Sequence, residues 1–481
     1  MVYEHGRREF LKSVGCFCVL GGTGCGCLSR YGLGRGGRRL RFGAMSDVHV
    51  WCESGWGDTS IFEQTLRRMG EAGCDGVVIA GDISEWGLVK HLELAGAAWR
   101  KVFPGDRRAD GGRVEKLFTL GNHDLEGFAY GESVRAKHPD WFAKENLIVT
   151  DLAAAWRKAF DEDYAPIWMK TVNGYRFVGC NTFAYPKDAT FLEDNRAELE
   201  GTRPFFYVQH AHPKGTTASP WVWGQDDGHS TRALSRFPNA VALSGHSHTP
   251  LTDDRVLWQG AFTSVGTASL RYLIPIGGRE NTRVCGAEDP MPSQMPAIGS
   301  GARHYQIVTA YDDALVFQRM DYASGKPLGP DWVVPLPFDG SMSFARRAAR
   351  EEAPAFAPDA KVAVARDEKG RIVVSFPPAL RPVRAYDYEV TLEVKDVDAV
   401  RPHRVKRVFS PVFHRPPEVE TLPVTCVFAE DDVPKQYRVA GGWGEPGPLS
   451  ADRGRSYRFL VRPCACFGAK GEAVATEWTF E

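Results

Sequence analysis

The chain has 481 residues, more than one ordinary hydrophobic core accommodates, so two domains plus a processed segment are expected. Hydrophobic residues make up 43% and charged residues 25%, which excludes a disordered or collagen-like chain. Lys plus Arg total 59 against 60 Asp plus Glu, so no global field points to a stable nucleic-acid partner or an anionic membrane.

Residues 1–40 read as targeting rather than fold: Gly6-Arg7-Arg8-Glu9-Phe10-Leu11-Lys12 precedes a Gly- and Cys-rich apolar run from Val14 to Leu28. That run is shorter than the ~20 residues a membrane helix needs, so the mature chain is expected to have no transmembrane span. The leader resembles a bacterial twin-arginine signal, which implies export to the periplasm or cell envelope, with a plain basic tail as the alternative. Thr23-Gly24-Cys25 is a weak lipid-anchor signal, because Gly22 stands where that pattern prefers Leu.

Beyond the leader, apolar runs alternate with amphipathic stretches in the βαβ manner. Strands are predicted at Leu40–Met45, Gly76–Ala80 and Leu117–Leu120, with helices at Ile61–Gly70 and Val89–Val102 between them. Asn173-Gly174 inside Ile167–Cys180 signals a hairpin, so a second sheet is expected. Three more strands follow at Phe205–Gln209, Ala240–Leu243 and Thr263–Leu270, then a hairpin over His304–Met320 turning at Asp312-Asp313. The Gly-, Pro- and Met-rich segment from Asn281 to Arg303 reads as a long excursion.

Residues 41–345 are expected to form an α/β domain of two facing mixed sheets with helices outside, and 346–360, punctuated by Pro354 and Pro358, a linker. Residues 361–481 carry short alternating segments at Ile372–Phe376, Tyr386–Val394, Tyr457–Val461 and Ala475–Phe480, the pattern of an all-β sandwich. The strand Tyr457–Arg462 followed by Phe467-Gly468 resembles part of a fibronectin type III or Ig-like module.

Of eleven cysteines, Cys16, Cys18, Cys25 and Cys27 lie in the leader. Cys52, Cys74, Cys180, Cys285, Cys426, Cys464 and Cys466 are scattered with no zinc-ribbon spacing, so small buried side chains are the expected role. Cys464 and Cys466 are placed on one strand, and no bridge is expected between them.

Five predicted strands end in polar clusters: Asp47-x-His49, Gly81-Asp82, Gly121-Asn122-His123-Asp124, His210-Ala211-His212-Pro213 and Gly245-His246-Ser247-His248. Singly, each has a plain reading: a lone Asp after a strand caps a helix, and an Asn-His-Asp cluster makes an Asx turn. Asp47 and His49, and likewise His246 and His248, are spaced to point to one side of a strand. Together they collect imidazoles and carboxylates at the edge where α/β enzymes keep their chemistry, a mix suited to Zn, Fe or Mn.

In this order the motifs resemble those of the calcineurin-like metallophosphoesterases, over about residues 41–320. The resemblance implies a four-layer α/β sandwich and two divalent or trivalent cations, Mn, Fe or Zn, holding a hydroxide that attacks a phosphate ester. It implies Asp47, His49 and His248 on one cation, Asn122, His210 and His246 on the other, and Asp82 between them. It makes His123 the proton donor and Asp124 the carboxylate that fixes the His123 tautomer. His210 is preferred to His212 because it directly follows a strand; His212 becomes a supporting or substrate-contacting group. A phosphodiesterase is expected, with a nucleotidase-like or acid-phosphatase-like monoesterase as the alternative and an idle surface-binding protein as the rival from another class. The substrate-selecting loops are expected at Trp51–Trp56, Tyr130–Trp141, Lys214–His229 and Asn281–Arg303. All seven expected ligands precede the linker, so residues 41 to about 345 are expected to suffice for hydrolysis.

Overall fold

The computed structural model describes residues 37–50, 58–184, 187–217, 224–274, 302–380, 383–395, 400–409, 413–417, 422–428, 438–439, 442–443 and 456–479. The leader, Trp51, Trp56, Trp221, Trp223 and most of the Asn281–Arg303 excursion lie outside the described residues.

The first sheet has six strands. β1 (Leu40–Met45), β2 (Gly76–Ala80) and β3 (Glu115–Thr119) pair in parallel. On its other side β1 pairs antiparallel with β10 (His304–Ala310), which leads through β11 (Ala314–Asp321) to β12 (Trp332–Pro335). The second sheet runs β4 (Ile167–Val172), β5 (Tyr175–Cys180), β6 (Phe205–Val208), β7 (Ala240–Ser244), β9 (Thr263–Gly266) and β8 (Leu257–Gln259). Asn173 and Gly174 both have positive φ, 48° and 79°, the backbone of a type I′ hairpin turn.

Both faces of each sheet are covered, which explains why β2 reads as the unbroken apolar run Gly-Val-Val-Ile-Ala. Phe42, Ala44 and Val78 face Phe177, Phe206, Val208 and Val241 across the inter-sheet core. On the outside, Val77, Ile79 and Phe118 pack under helices α1 (Ser60–Glu71), α2 (Val89–Val102) and α4 (Leu152–Phe160). Helix α1 buries Phe62, Thr65, Leu66 and Met69, a helical spacing that puts all four on one face. Val178, Tyr207 and Ala242 pack under α5 (Asp188–Asp194) and α6 (His229–Leu234). The result is the four-layer α/β sandwich, with the loops after β1, β2, β3, β6 and β7 gathered along the carboxyl ends of parallel strands.

Three local expectations are corrected. Thr263–Leu270 is not one strand: β9 stops at Gly266, because the chain turns at Ala268 (φ 62°) to wrap the Ser46 hydroxyl, which donates to Ala268 O at 2.8 Å. The Asn-His-Asp cluster is no isolated turn but the first turn of a helix, α3 (Asn122–Tyr130). Cys466 lies beyond the strand that ends at Cys464, so the two do not share one strand.

Beyond residue 360, two antiparallel sheets share a third core. One runs β13 (Ala363–Arg366), β14 (Ile372–Phe376), β17 (Val424–Phe428); the other runs β16 (Val400–Val408), β15 (Asp387–Lys395), β20 (Ser456–Cys464), β21 (Val474–Thr479). A separate two-stranded ladder pairs β18 (Arg438–Val439) with β19 (Gly442–Trp443). This region is not tethered by a bare linker. Tyr386, Phe409 and Phe413 pack into the core between the two large sheets, and the Glu351 carboxylate accepts the Phe467 and Ala469 N–H groups at 2.6 and 2.9 Å. His304 at the start of β10 accepts from Leu251 N at 3.1 Å and donates through Nε2 to His414 O at 2.9 Å. No disulfide joins the described cysteines Cys74, Cys180, Cys426, Cys464 and Cys466 to one another. Among the described residues no helix is long and apolar enough to cross a membrane.

Candidate metal centre

Strand alternation is not what brings the expected ligands together. Asp47 and His49 lie past the end of β1, and His246 and His248 past the end of β7. All four, with Asp82, are in the left-handed backbone region, with φ of 51°, 47°, 65°, 51° and 55° respectively. Asp and His tolerate this region better than most side chains, but it still costs stability, and such outliers gather at functional sites. Backbone lacing holds them: Asp47 N donates to Gly81 O at 3.0 Å, His49 N to Asp82 O at 3.0 Å, and Gly245 N to His210 O at 2.9 Å.

Two groups of donors result, Asp47 with His49 and His248, and Asp82 with His210 and His246; within each, the ligand atoms lie within 4.8 Å of one another. His248 Nε2 is 2.9 Å from Asp47 Oδ1, and His210 Nε2 is 2.9 Å from Asp82 Oδ2. That same Asp82 oxygen is 3.8 Å from His49 Nε2. Asp47, His49, Asp82, His210 and His248 are buried, and His246 is half-buried.

The tautomers follow from what holds each ring. His210 Nδ1 donates to Ala80 O at 2.8 Å and His248 Nδ1 to Tyr272 O at 2.9 Å. His49 Nδ1 sits 2.7 Å from Glu85 Oε2. Each Nε2 is thereby presented inward as the donor atom, the usual support for a metal-binding histidine. Burial pushes the Asp47 and Asp82 carboxyls up, but His248 facing Asp47 and His210 facing Asp82 outweigh it and hold both below the usual carboxylate range. Burial pulls His49 and His210 down, yet Glu85 and Asp82 overcome it, leaving His49 above its ordinary value and His210 at about 9.

The donor set fits a pair of cations. Asp47 Oδ1, His49 Nε2 and Asn122 Oδ1 are buried polar atoms with no hydrogen-bond partner, and such atoms are costly unless they bind something. The space around them admits no extra carbon. A Cβ on Gly121 would sit 2.1 Å from Asp82 Oδ1, and one on Gly245 would sit 2.4 Å from Ser46 Oγ and 2.6 Å from Asp47 Oδ2.

One sequence expectation is corrected here and another is narrowed. Asp124 does not orient His123: its carboxylate accepts from Gly121 N at 2.7 Å, Ser84 N at 2.6 Å and Ile83 N at 3.2 Å. It caps α3 and ties that helix to the loop after β2. Burial, with the nearby Asp82 charge, pushes its carboxyl up to about 7. The ring of His123 is held instead by the Glu85 carbonyl, which accepts from Nδ1 at 2.9 Å, with Glu85 Oε1 4.0 Å away. Of the supporting and substrate-contacting roles expected for His212, its surroundings match the supporting one. His212 is buried, its Nε2 lies 2.9 Å from Ser247 Oγ and its Nδ1 2.9 Å from Thr217 Oγ1, so it braces the loop between His246 and His248. Burial pulls it down to about 4, which keeps it neutral.

Glu85 is the residue that sequence reading missed. Burial pushes its carboxyl up, but the His49 charge pulls it down to about 2, so it stays ionised between His49 and His123. Its position three residues after Asp82 was the available signal.

Paired His/Asp groups at the carboxyl ends of a two-sheet α/β sandwich define a metallophosphoesterase with a candidate dimetal site. Residues 40–250 match the calcineurin-like phosphoesterase family, so this part of the chain is a calcineurin-like metallophosphoesterase domain, a hydrolase of phosphoric esters. Among solved structures, a dimetal phosphatase from Danio rerio is similar at 12% identity, covering 62% of this chain and 99% of that chain with a TM-score of 0.37. A purple acid phosphatase from yellow lupin is similar at 13% identity, with 62% and 54% covered and a TM-score of 0.36. A 5′-nucleotidase precursor from Thermus thermophilus is similar at 12% identity, with 67% and 62% covered and a TM-score of 0.28. No curated protein matches the chain.

Proposed function

We propose that this chain hydrolyses phosphoric diesters, with Asp47, His49 and His248 holding one cation, Asn122, His210 and His246 the other, and Asp82 shared. The observation that carries this reading is Asp82 Oδ2, which faces His210 Nε2 at 2.9 Å in one donor group and His49 Nε2 at 3.8 Å in the other. An oxygen that lies near both sets supports the reading of Asp82 as the shared ligand. When bound, Mn, Fe or Zn ions would lower the pKa of a water towards neutrality and offset the charge that spreads over the phosphoryl oxygens.

The protein's own part is positional. Glu85, Ala80 O and Tyr272 O aim three imidazoles inward, and the Glu85 carbonyl, by accepting a hydrogen bond from His123 Nδ1, leaves Nε2 to hold or release a proton at the leaving alkoxide. The choice of a diester over a monoester draws its support from one carboxylate near Asn122, set against the Arg271 charge that reaches Glu85. Glu126 accepts from the Tyr130 hydroxyl at 3.0 Å beside Asn122, and a monoanion meets less repulsion there than a dianion.

Protein loaded with Mn, Fe or Zn and assayed on matched aryl diesters and monoesters tests the reading. Diesters should be cleaved at higher kcat/KM; a tenfold preference for monoesters moves the assignment to a phosphomonoesterase, and no turnover of either rejects the ligand set.

We also read β13–β17 with β20 and β21 as a fibronectin type III or Ig-like module, supported by three- and four-stranded antiparallel sheets around one core. Export through the Arg7-Arg8 leader is proposed on the sequence alone. Intact mass from the native host tests it, and a cytoplasmic pool retaining Met1–Arg41 refutes it.

A further inference from the structure

Six large hydrophobic side chains are exposed among the described residues, and two of them are aromatic: Tyr130 (49%), at the end of the helix that begins at Asn122, and Phe183 (60%), in the turn after β5. Tyr130 closes α3, with its ring 5.0 Å from that of His123 and its hydroxyl 3.5 Å from Asn122 Nδ2. Phe183 comes from a different element, the turn after β5. That turn is fastened to the end of β3: Thr182 N donates to Leu120 O at 3.1 Å, Leu120 N donates to Asn181 Oδ1 at 2.6 Å, and Leu120 stands two residues before Asn122. Asn181 Nδ2 donates in turn to Ala165 O at 2.9 Å.

Phe183 also has φ of 67°, a left-handed conformation that a bulky residue seldom adopts. Exposure deprives its ring of the burial that would offset this cost, so neither folding term accounts for the residue. Planar rings set beside a phosphoester centre offer stacking, which accepts any flat aromatic group and discriminates against flexible chains.

We propose that Tyr130 and Phe183 form an aromatic rim that binds a planar ring, a nucleobase or an aryl group, on the arm of the diester that is not expelled. This rests on the phosphodiesterase reading above and specifies its substrate class.

The test uses the full-length, metal-loaded protein and four diesters that share p-nitrophenolate as the leaving group, so the chemical step is matched. Their second arms are methyl, hexyl, phenyl and thymidin-5′-yl. At least one flat-armed ester should have a KM about tenfold below the methyl ester, and the hexyl ester should not share that advantage. Phe183→Ala and Tyr130→Ala should each shrink the flat-to-methyl KM ratio severalfold with a smaller change in the kcat ratio, and Phe183→Trp should restore it. An advantage for thymidin-5′-yl alone identifies a nucleoside arm, and one for phenyl alone an aryl arm. Equal advantage for hexyl, or variants that change all four esters by one factor, overturns the rim while leaving the phosphodiesterase reading standing. Failure of the parent protein to cleave any of the four overturns both.

Discussion

In the C-terminal sheets the core is mostly apolar, with Ile372, Val374 and Phe376 of β14 packed with Tyr457, Phe459 and Val461 of β20, and the buried Lys406 spends its charge on Val427 O at 3.1 Å. At the strand ends of the first domain, Asp47, His49, Asp82, His210 and His248 are equally buried, yet polar, and four of them sit on left-handed backbone. The first arrangement is what burial alone selects, since each apolar side chain removed from water stabilises the fold by about 1.5–3 kcal/mol. The second opposes both burial and backbone preference, and the surrounding layers must over-determine it. Strain and buried charge concentrated at one edge of an otherwise ordinary sandwich therefore mark where the molecule does its chemistry.

Substitutions in the two regions should fail in different ways. Asp82→Ala should have the largest effect on turnover, because it removes the ligand proposed to be shared by the two cations; metal content by elemental analysis should fall and activity should drop by at least ~10²-fold. The contrast breaks if this variant keeps both metals and full turnover. His123→Ala should retain metal while slowing esters with poor leaving groups by about 10²–10⁴-fold, and activated aryl esters less. Metal stripped by His123→Ala but not by His210→Ala would invert the assignment.

Phe459→Ala should act on folding instead, costing about 3–5 kcal/mol in denaturant titration while turnover per folded molecule stays near the parent value. A parallel loss of specific activity would show that the two regions are one functional unit, coupled through the packing of Tyr386, Phe409 and Phe413 into the inter-sheet core. The smallest effect concerns the His304 bridge between the regions. Burial, with the Arg384 and Arg319 charges nearby, outweighs the hydrogen bond to the His414 carbonyl and pulls its pKa down to about 3. Its folded pKa lies below the unfolded value, so the unfolded chain takes up a proton first as pH falls from about 6.5 towards 3, and stability is lost across that window. From pH 7 to 5 the loss should approach about 2 kcal/mol, and His304→Gln should flatten this part of the profile.

Much of this was legible from local pattern. The spans of β1, β2 and α2 read directly from the sequence because buried parallel strands are unbroken apolar runs and α2 keeps a helical apolar spacing. Strand β16, Val-Arg-Pro-His-Arg-Val-Lys-Arg-Val, was not legible: its charges and proline hide the alternation that pairing with β15 makes usable. In the site, the motif order pointed to Asp82 and the histidines, but Glu85 had only its place three residues after Asp82 to mark it, and its 2.7 Å approach to His49 is what gives that place a meaning.

The sequence by itself determined which residue types stand at which strand ends, because hydrophobic period and turn chemistry are local properties of the chain. Tertiary structure alone decided which of them meet. Asp47 faces His248 across 201 positions of chain, Asp124 is spent on backbone N–H groups rather than on His123, and His212 is turned away between two hydroxyls. Hydrogen-bond allegiance depends on distance and direction in space, and sequence spacing does not encode either once the chain has crossed between two sheets.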